Sequence, residues 1–228
     1  QPLAPGQAFQ LRHGQTLRFN SPKRGVRAYL ATPGGFAAEP VMGAVATVMR
    51  EQLGGLHGNG RGLHNGDRLQ GKASNAEPRT LPADALWYPG HEVVLDLIPG
   101  AQIAAFAGAS LFAAFNQSWT LDQRADRMGI RLTGPALRYQ GQPLISEGIP
   151  LGAVQIPPDG QPIILMNDRQ TIGGYPRLGA VTPLSLARLA QCAPGQKVRL
   201  RVVSQEVARR ELLAAIKALA TQGQPTPP

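Results

Sequence analysis

The chain has a single cysteine, Cys192, so no disulfide can close within it and its stability must come from packing. A lone thiol suits a reducing compartment, and a cytoplasmic location is expected. Long apolar runs are also missing. No stretch reaches the ~20 residues that span a bilayer, and the nearest, Ala101 to Phe115, is interrupted by Gln102 and by small residues. The opening Gln1-Pro2-Leu3-Ala4-Pro5-Gly6 has neither the basic start nor the apolar core of a signal peptide, so neither a leader nor a membrane association is expected.

Acidic residues are scarce, 14 against 23 Lys and Arg, for a formal charge of +9. Such a balance raises the question of nucleic acid. The pattern argues against it, because no Lys/Arg run exceeds two residues and aromatics make up only 5%. There is no basic stripe and little to stack bases on. The excess charge reads instead as a solvated surface, or as a face for an acidic partner or an anionic substrate. Metal chemistry is not expected either. His57 and His64 lie in the glycine-rich segment "GGLHGNGRGLHNGD" (54–67), with no cysteine or acidic partner at ligand spacing. The same segment is neither a Walker A loop nor a dinucleotide fingerprint.

What the chain does have is glycine (27) and proline (21) spread through 228 residues that are 43% hydrophobic. That punctuation leaves little room for long helices and predicts a mainly β fold with a real core. Short strands are expected at Leu17–Phe19 and Val26–Ala31, joined by "NSPKRG" as a hairpin. A composition shift near Asn75–Asp84 divides the chain into a subdomain over 1–80 and a larger one over 81–228. In the second, strands are expected at 91–100, 118–121, 130–132, 153–156, 162–166 and 197–203, with a short helix near 110–115. Helices are expected at 183–190 and from Ser204, an N-cap residue, to about Ala220. The stripe Ala208, Leu212, Ala215, Ile216 and Leu219 is expected to bury against the core. The tail "QGQPTPP" reads as a frayed end.

One segment concentrates chemistry. The apolar run "PIILM" ends at Met166, and Asp168, Arg169, Gln170 and Thr171 follow, then Gly173-Gly174 and Tyr175. A strand end can hold polar groups at the rim of a barrel while their backbone is constrained. Arg169 offers a planar fork for a carboxylate or carboxy-phosphate, with Asp168 to orient it or accept a proton. Gln170 and Thr171 add neutral donors and acceptors. The paired glycines let backbone N–H groups approach a ligand closely. Upstream, Ser146 and Gln155 precede the turn "PPDGQP", and they are expected to share one pocket with this cluster, walled by Tyr175. A plain alternative is a polar hairpin loop with an internal Asp–Arg pair. "DRMG" (126–129) offers a second Asp–Arg pair, expected at the surface.

The block "SEGIPLGAVQIPPDGQPIILMNDRQTIGGYP" resembles the signature of the carboxyltransferase subdomain A/B family. The family is also called allophanate hydrolase subunit 2, and its stand-alone bacterial members form the C component of 5-oxoprolinase. "GVRAYLATPGGF", "GRGLHNGDRL", "DRMGIRLTG" and "LARLAQCAPGQKVRL" look like further family landmarks in family order. The resemblance implies a cyclophilin-like β-barrel, closed by the C-terminal helix, following an incomplete first subdomain whose Val26–Phe36 region leaves an open edge. It implies a hydrolase component of an ATP-dependent complex that opens 5-oxoproline, a small lactam, to glutamate together with A and B subunits. The alternatives it carries are the carboxyltransferase part of a biotin-dependent urea carboxylase, with biotin arriving on a partner, and a regulatory module of a sensor-kinase inhibitor system. In that family setting the catalytic residues would be Asp168, Arg169, Gln170 and Thr171. Ser146, Gln155, Gly173, Gly174 and Tyr175 would hold substrate, and no cofactor is expected on this chain itself.

Overall fold

The computed structural model describes residues 2–75, 80–81 and 86–222. They fall into two compact units: Gln1–Arg18 with Ala28–Ala83, and Phe19–Arg27 with Asp84–Pro228. Part of the expected boundary (76–79 and 82–85) and the tail from 223 onward lie outside the described residues.

The fold is mainly β, and the second unit is built on a closed seven-strand barrel. Its first strand, β1 (Glu92–Pro99), is the apolar run "EVVLDLIP". The other barrel strands, in chain order, are β2 (Trp119–Leu121), β3 (Gly129–Thr133), β5 (Ala153–Gln155), β6 (Ile163–Leu165), β8 (Arg177–Val181) and β9 (Lys197–Val202), and around the barrel they run β1-β8-β5-β6-β3-β2-β9. Two further short strands, β4 (Glu147–Gly148) and β7 (Ile172–Gly173), make a separate ribbon. Neighbours in the barrel run antiparallel except at one seam, where β1 and β9 pair in parallel from Glu92↔Lys197 to Leu97↔Val202. That seam closes the barrel. The C-terminal helix, expected to do so, packs outside against β1.

Alternation explains the core. Val93, Leu95 and Leu97 from β1 and Val198 and Leu200 from β9 are buried in one cluster with Trp119, Leu132, Ile164 and Leu178. Helix α1 (Gly108–Asn116) adds Ala113 and Ala114, and the Ala114 carbonyl accepts a 3.2 Å bond from the indole Nε1 of Trp119. Helix α2 (Pro183–Leu189) starts with proline in its first turn, and the Thr182 side chain accepts from the Ser185 N–H. It carries Ser185 onto β1, where the Ser185 hydroxyl oxygen accepts the Asp96 N–H at 2.9 Å.

The strands and helices expected beyond residue 90 form within a residue or two of their expected ends. The differences are informative. Strand β8 lies inside what reads as loop, because Gly179 interrupts its apolar pattern and proline precedes it. The expected strands at Leu17–Phe19 and Val26–Ala31 do not form, and with them go the hairpin and the open strand edge. The backbone there is satisfied by a side chain instead. Gln191 Oε1 accepts the N–H groups of Val26 (3.1 Å) and Arg27 (3.0 Å), and its amide nitrogen donates to the Arg27 carbonyl. The stripe on α3 (Gln205–Gln222) is also corrected. Ala208 is buried, but Ile216 and Leu219 are 53% and 68% exposed, since only the first turns meet the barrel.

The first unit has a different character. Its described pairings are isolated bridges such as Phe36↔Gly71 and Val48↔Leu53. Among its described residues only Gly54, Gly55 and Gly60 are buried, while Tyr29 and Met42 are 85% and 93% exposed. The glycine-rich segment is nonetheless organised, around Asp67. That carboxylate accepts from Arg61 at 2.9 Å and from the His64 N–H at 2.8 Å, and it meets His57 Nε2 at 3.2 Å. The hydrogen bond from Arg61 leads the effects that hold the Asp67 carboxyl well below the usual range. His57 therefore has an acidic partner after all. The two stand ten positions apart in a loop, so no fixed spacing announces the pair.

Two outcomes are expected. Native-state hydrogen exchange will protect amides of β1, β5, β8 and β9 by the full unfolding free energy, while those of residues 28–75 exchange through far smaller openings. Uniform protection across both units would contradict this. At the seam, Arg201 Nε meets Asp96 Oδ1 at 2.6 Å, and the Asp96 side chain is 3% exposed. Arg201→Met strands that carboxylate and is expected to cost about 2–4 kcal/mol in chemical denaturation, while Asp96→Leu with Arg201→Met costs far less.

Candidate functional site

The site is built where the β4–β7 ribbon lies against β8. Glu147 pairs with Gly173 and Gly148 with Ile172, and the Ile149 N–H extends the ribbon by donating to the Thr171 carbonyl at 2.8 Å. Strands this short cannot hold themselves in place. Arg177, the first residue of β8, ties the ribbon down: its guanidinium donates to the Gly148 carbonyl at 3.2 Å and to Glu147 Oε1 at 2.5 Å. Gln102, just after β1, completes the arrangement. Its Nε2 donates to the same Glu147 oxygen at 2.5 Å, and its Oε1 accepts the Arg177 N–H at 2.8 Å.

Two of these side chains, Gln102 and Arg177, line a cavity of about 330 Å³ together with Pro150, Gly100, Gly179 and Gln205, among others. Glycine is needed at 179 because a Cβ there would stand 2.1 Å from the Ile98 carbonyl oxygen, and a Cβ on Gly100 would already crowd the Gly179 Cα at 3.2 Å. The Glu147–Arg177 pair brings no net charge to the rim. It offers an acceptor and donors side by side, the complement of an amide, which presents N–H and C=O together.

Gln155 sits next to this site for a specific reason. Between Val154 and Gln155 the pairing with β8 slips, so Val154 faces Gly179 while Gln155 faces Arg177. A bulge of this kind re-aims side chains. Gln155 is 2% exposed and lies beneath the ribbon, near the small cluster of Ile149, Ala153 and Leu165. A Cβ built on Gly173 would lie 3.1 Å from Gln155 Nε2 and 2.5 Å from Ile149 Cδ1, so a larger residue there would have to displace the ends of those two side chains. A Cβ on Gly174 would stand 3.4 Å from the Ser146 Oγ.

Of the residues singled out from sequence, Ser146, Gln155, Gly173 and Gly174 are thus neighbours, and Tyr175 is half-exposed just beyond them. The "DRQT" residues do different things. Asp168 receives both its bonds from Arg127, at 2.7 and 2.8 Å, and does not form the expected fork with Arg169. Arg169 donates to the Ile149 carbonyl at 3.2 Å, and Gln170 and Thr171 are exposed. The expected Asp126–Arg127 pair is likewise replaced. Asp126 Oδ1 accepts the N–H groups of Met128 and Gly129, leaving Arg127 to Asp168. Sequence reasoning overlooked Gln102 and Arg177 altogether and passed over Glu147. Their only local signal is position, directly after β1 and at the start of β8. Among the described residues no group of three or more His, Cys, Asp or Glu side chains could hold a metal, and no helix is long and apolar enough to cross a membrane. Burial raises the Cys192 thiol to about 11, so it is no nucleophile at neutral pH.

A mainly β chain with a closed barrel and a rim of this kind belongs to a recognisable class. The profile described as "Carboxyltransferase domain, subdomain A and B" matches residues 1–202, and the chain belongs to that family. Among individual proteins, it is 38% identical over 207 residues to the C subunit of 5-oxoprolinase from Escherichia coli, covering 89% of this chain and 64% of that one. It is also 38% identical to the Haemophilus influenzae protein of the same name, covering 88% of this chain and 64% of the relative. The chain thus spans just under two thirds of the length of these relatives. The crystal structure of Kluyveromyces lactis urea carboxylase shares the fold, with a TM-score of 0.81 at 23% identity over 90% of this chain and 20% of that one.

Arg177→Ala removes the tether of the ribbon but only a part-exposed ion pair. The expected loss is about 1 kcal/mol, or a melting shift of about 2–4 °C. Exchange of the Ile149 amide should rise much more than that of β1 amides. Equal changes at both would mean that Arg177 does not hold the ribbon.

Proposed function

We propose that the chain is the C-type component of an ATP-dependent 5-oxoprolinase complex, a hydrolase that opens the 5-oxoproline ring to glutamate together with partners resembling the A and B subunits. The observation that carries this reading is the 38% identity to two proteins named as the C subunit of 5-oxoprolinase. The rim of the cavity supports it chemically. A lactam N–H would donate to Glu147, and its ring carbonyl would accept from the Gln102–Gln155 side of the ribbon. Arg169 then remains to hold the substrate carboxylate. Ser146, Gly173, Gly174 and Tyr175 would flank the bound substrate, and Gln170 and Thr171 would meet a partner or substrate from the solvent side. Asp168, held by Arg127, acts by positioning the turn that carries Arg169.

The donor set does not suit a triphosphate, since Glu147 cancels Arg177 at the rim. ATP is therefore assigned to a partner and no cofactor to this chain. The need for ATP makes the cytoplasm the expected compartment. In this reading residues 1–80 and 81–228 are two subdomains, the second carrying the site. A biotin-dependent carboxyltransferase is the second reading, favoured by 31% identity over 219 residues to a protein of Emericella nidulans named "Putative urea carboxylase"; biotin would then arrive on a partner.

The test is reconstitution with A- and B-type partners, followed by measurement of 5-oxoproline consumed per ATP hydrolysed. Coupled consumption that requires this chain is expected, and Glu147→Gln is expected to lower kcat/KM by about ten- to a hundred-fold, as loss of a charge-assisted hydrogen bond does. Carboxylation of urea in place of lactam opening would favour the second reading.

A further inference from the structure

The geometry points to Gln155 as the residue that sets substrate class: its Nε2 is the donor that reads the carbonyl oxygen of a small neutral amide, a lactam or a ureide. This deepens the amide-substrate reading above and rests on it.

The observation is an unsatisfied buried donor. Gln155 is 2% exposed, and its Nε2 has no hydrogen-bond partner among the described residues. Buried polar groups are almost always paired, because leaving one unmet forfeits its hydration without return. The surroundings deepen the cost. The Ile149 side chain, buried with Ala153 and Leu165, shares the space under Gly173 with Nε2, and methionine, close to glutamine in length, would fit there at lower cost. A chain selected for stability alone would not keep glutamine here. One kept for a ligand would.

The direction of the donor agrees. Nε2 lies under Gly173, close to where a side chain at 173 would begin, and Gly173 is paired with Glu147. The cover is therefore a ribbon of two-residue strands tied by Arg177, and ribbons of that size open at small free-energy cost. A ligand carbonyl entering beneath it meets an uncharged donor. The guanidinium of Arg177, which opens the facing strand, is already neutralised by Glu147. An uncharged donor buried there accepts a neutral carbonyl. A carboxylate placed on this donor would exchange its hydration for an uncharged partner, which leaves the carboxylate of a substrate to Arg169 and its amide carbonyl to Gln155.

The test uses the full chain, uniformly labelled with nitrogen-15, with the Gln155 side-chain amide resonances assigned by their loss in Gln155→Met. The probes are 2-pyrrolidinone, 5-oxoproline and urea, with acetate as the charged control. The Gln155 resonances are expected to shift with 2-pyrrolidinone and urea, and to stay in place with acetate. Gln155→Met is expected to melt at or above the parent temperature, yet to bind 2-pyrrolidinone at least ten-fold more weakly. Gln155→Glu, which keeps the shape but replaces the donor with an acceptor, should lose binding to the same extent. Resonances that ignore every probe, a shift with acetate equal to that with the amides, or unchanged binding by both variants would overturn the assignment. The two readings also fail separately. Shifts with the neutral probes but no 5-oxoproline consumption by the reconstituted complex leave Gln155 assigned and remove the oxoprolinase reading. Full consumption with Gln155→Met in the complex does the reverse.

Discussion

Everything in the second unit depends on two strands about a hundred residues apart meeting side by side. β1 and β9 pair in parallel, and that pairing turns a run of antiparallel strands into a closed barrel with no free edge. Parallel neighbours cannot be joined by a tight turn, so the whole intervening chain is the crossover. The seam is reinforced on both faces. Inward, Leu95 opposes Leu200 and Val93 opposes Val198; outward, Asp96 opposes Arg201 and its N–H donates to Ser185 of α2. A nearly dry carboxylate is a costly way to join strands, but it tolerates only one register, and a slip by a residue would strand it. Glu92 adds to the seam through Ser118 and Arg199. The Ser118 hydroxyl bond, the largest effect, keeps the Glu92 carboxyl below its usual range.

The candidate site is a consequence of that closure. Gln102 sits just past β1, Arg177 opens β8, and β8 is the direct neighbour of β1 in the barrel. Glu147 belongs to neither strand, yet it is held by both through Gln102 and Arg177. The rim is thus preorganised by a rigid wall while the ribbon above it rests on a few hydrogen bonds. Such a division suits a site that must admit a small polar molecule and then enclose it. The bulge at Val154–Gln155 supplies the last element by bringing an amide side chain beneath the ribbon.

The two units illustrate opposite physics. The barrel satisfies its backbone through strand ladders and buries its apolar side chains in one cluster. The first unit relies on turns, isolated bridges and local polar knots, of which Asp67 with Arg61, His57 and His64 is the clearest. Its exposed Tyr29, Met42 and Met49 are not buried by anything within the unit. Mutational sensitivity should follow this division, because substitutions in close-packed interiors cost more than those on open surfaces.

Local pattern was enough to predict most of the barrel. β1, β9, α2 and α3 carry alternation, caps or helical stripes that a short window of sequence displays, and each formed close to its expected ends. The family signature around Ser146–Pro176 also spans the ribbon at which Ser146, Gln155, Gly173 and Gly174 come together. What the sequence could not determine was which polar groups would meet. Asp168 sits beside Arg169 in the chain but pairs with Arg127, and Glu147 finds Gln102 and Arg177, 45 and 30 residues away. Those pairings follow from barrel closure and strand register, quantities set by the burial of the whole apolar set at once. The exposed half of α3 and the Gln191 clasp on Val26 and Arg27 have the same origin. Propensity and periodicity act over a few residues and decide what each segment can become. Which surfaces come together is decided by packing over the entire chain, and only the tertiary structure contains that result.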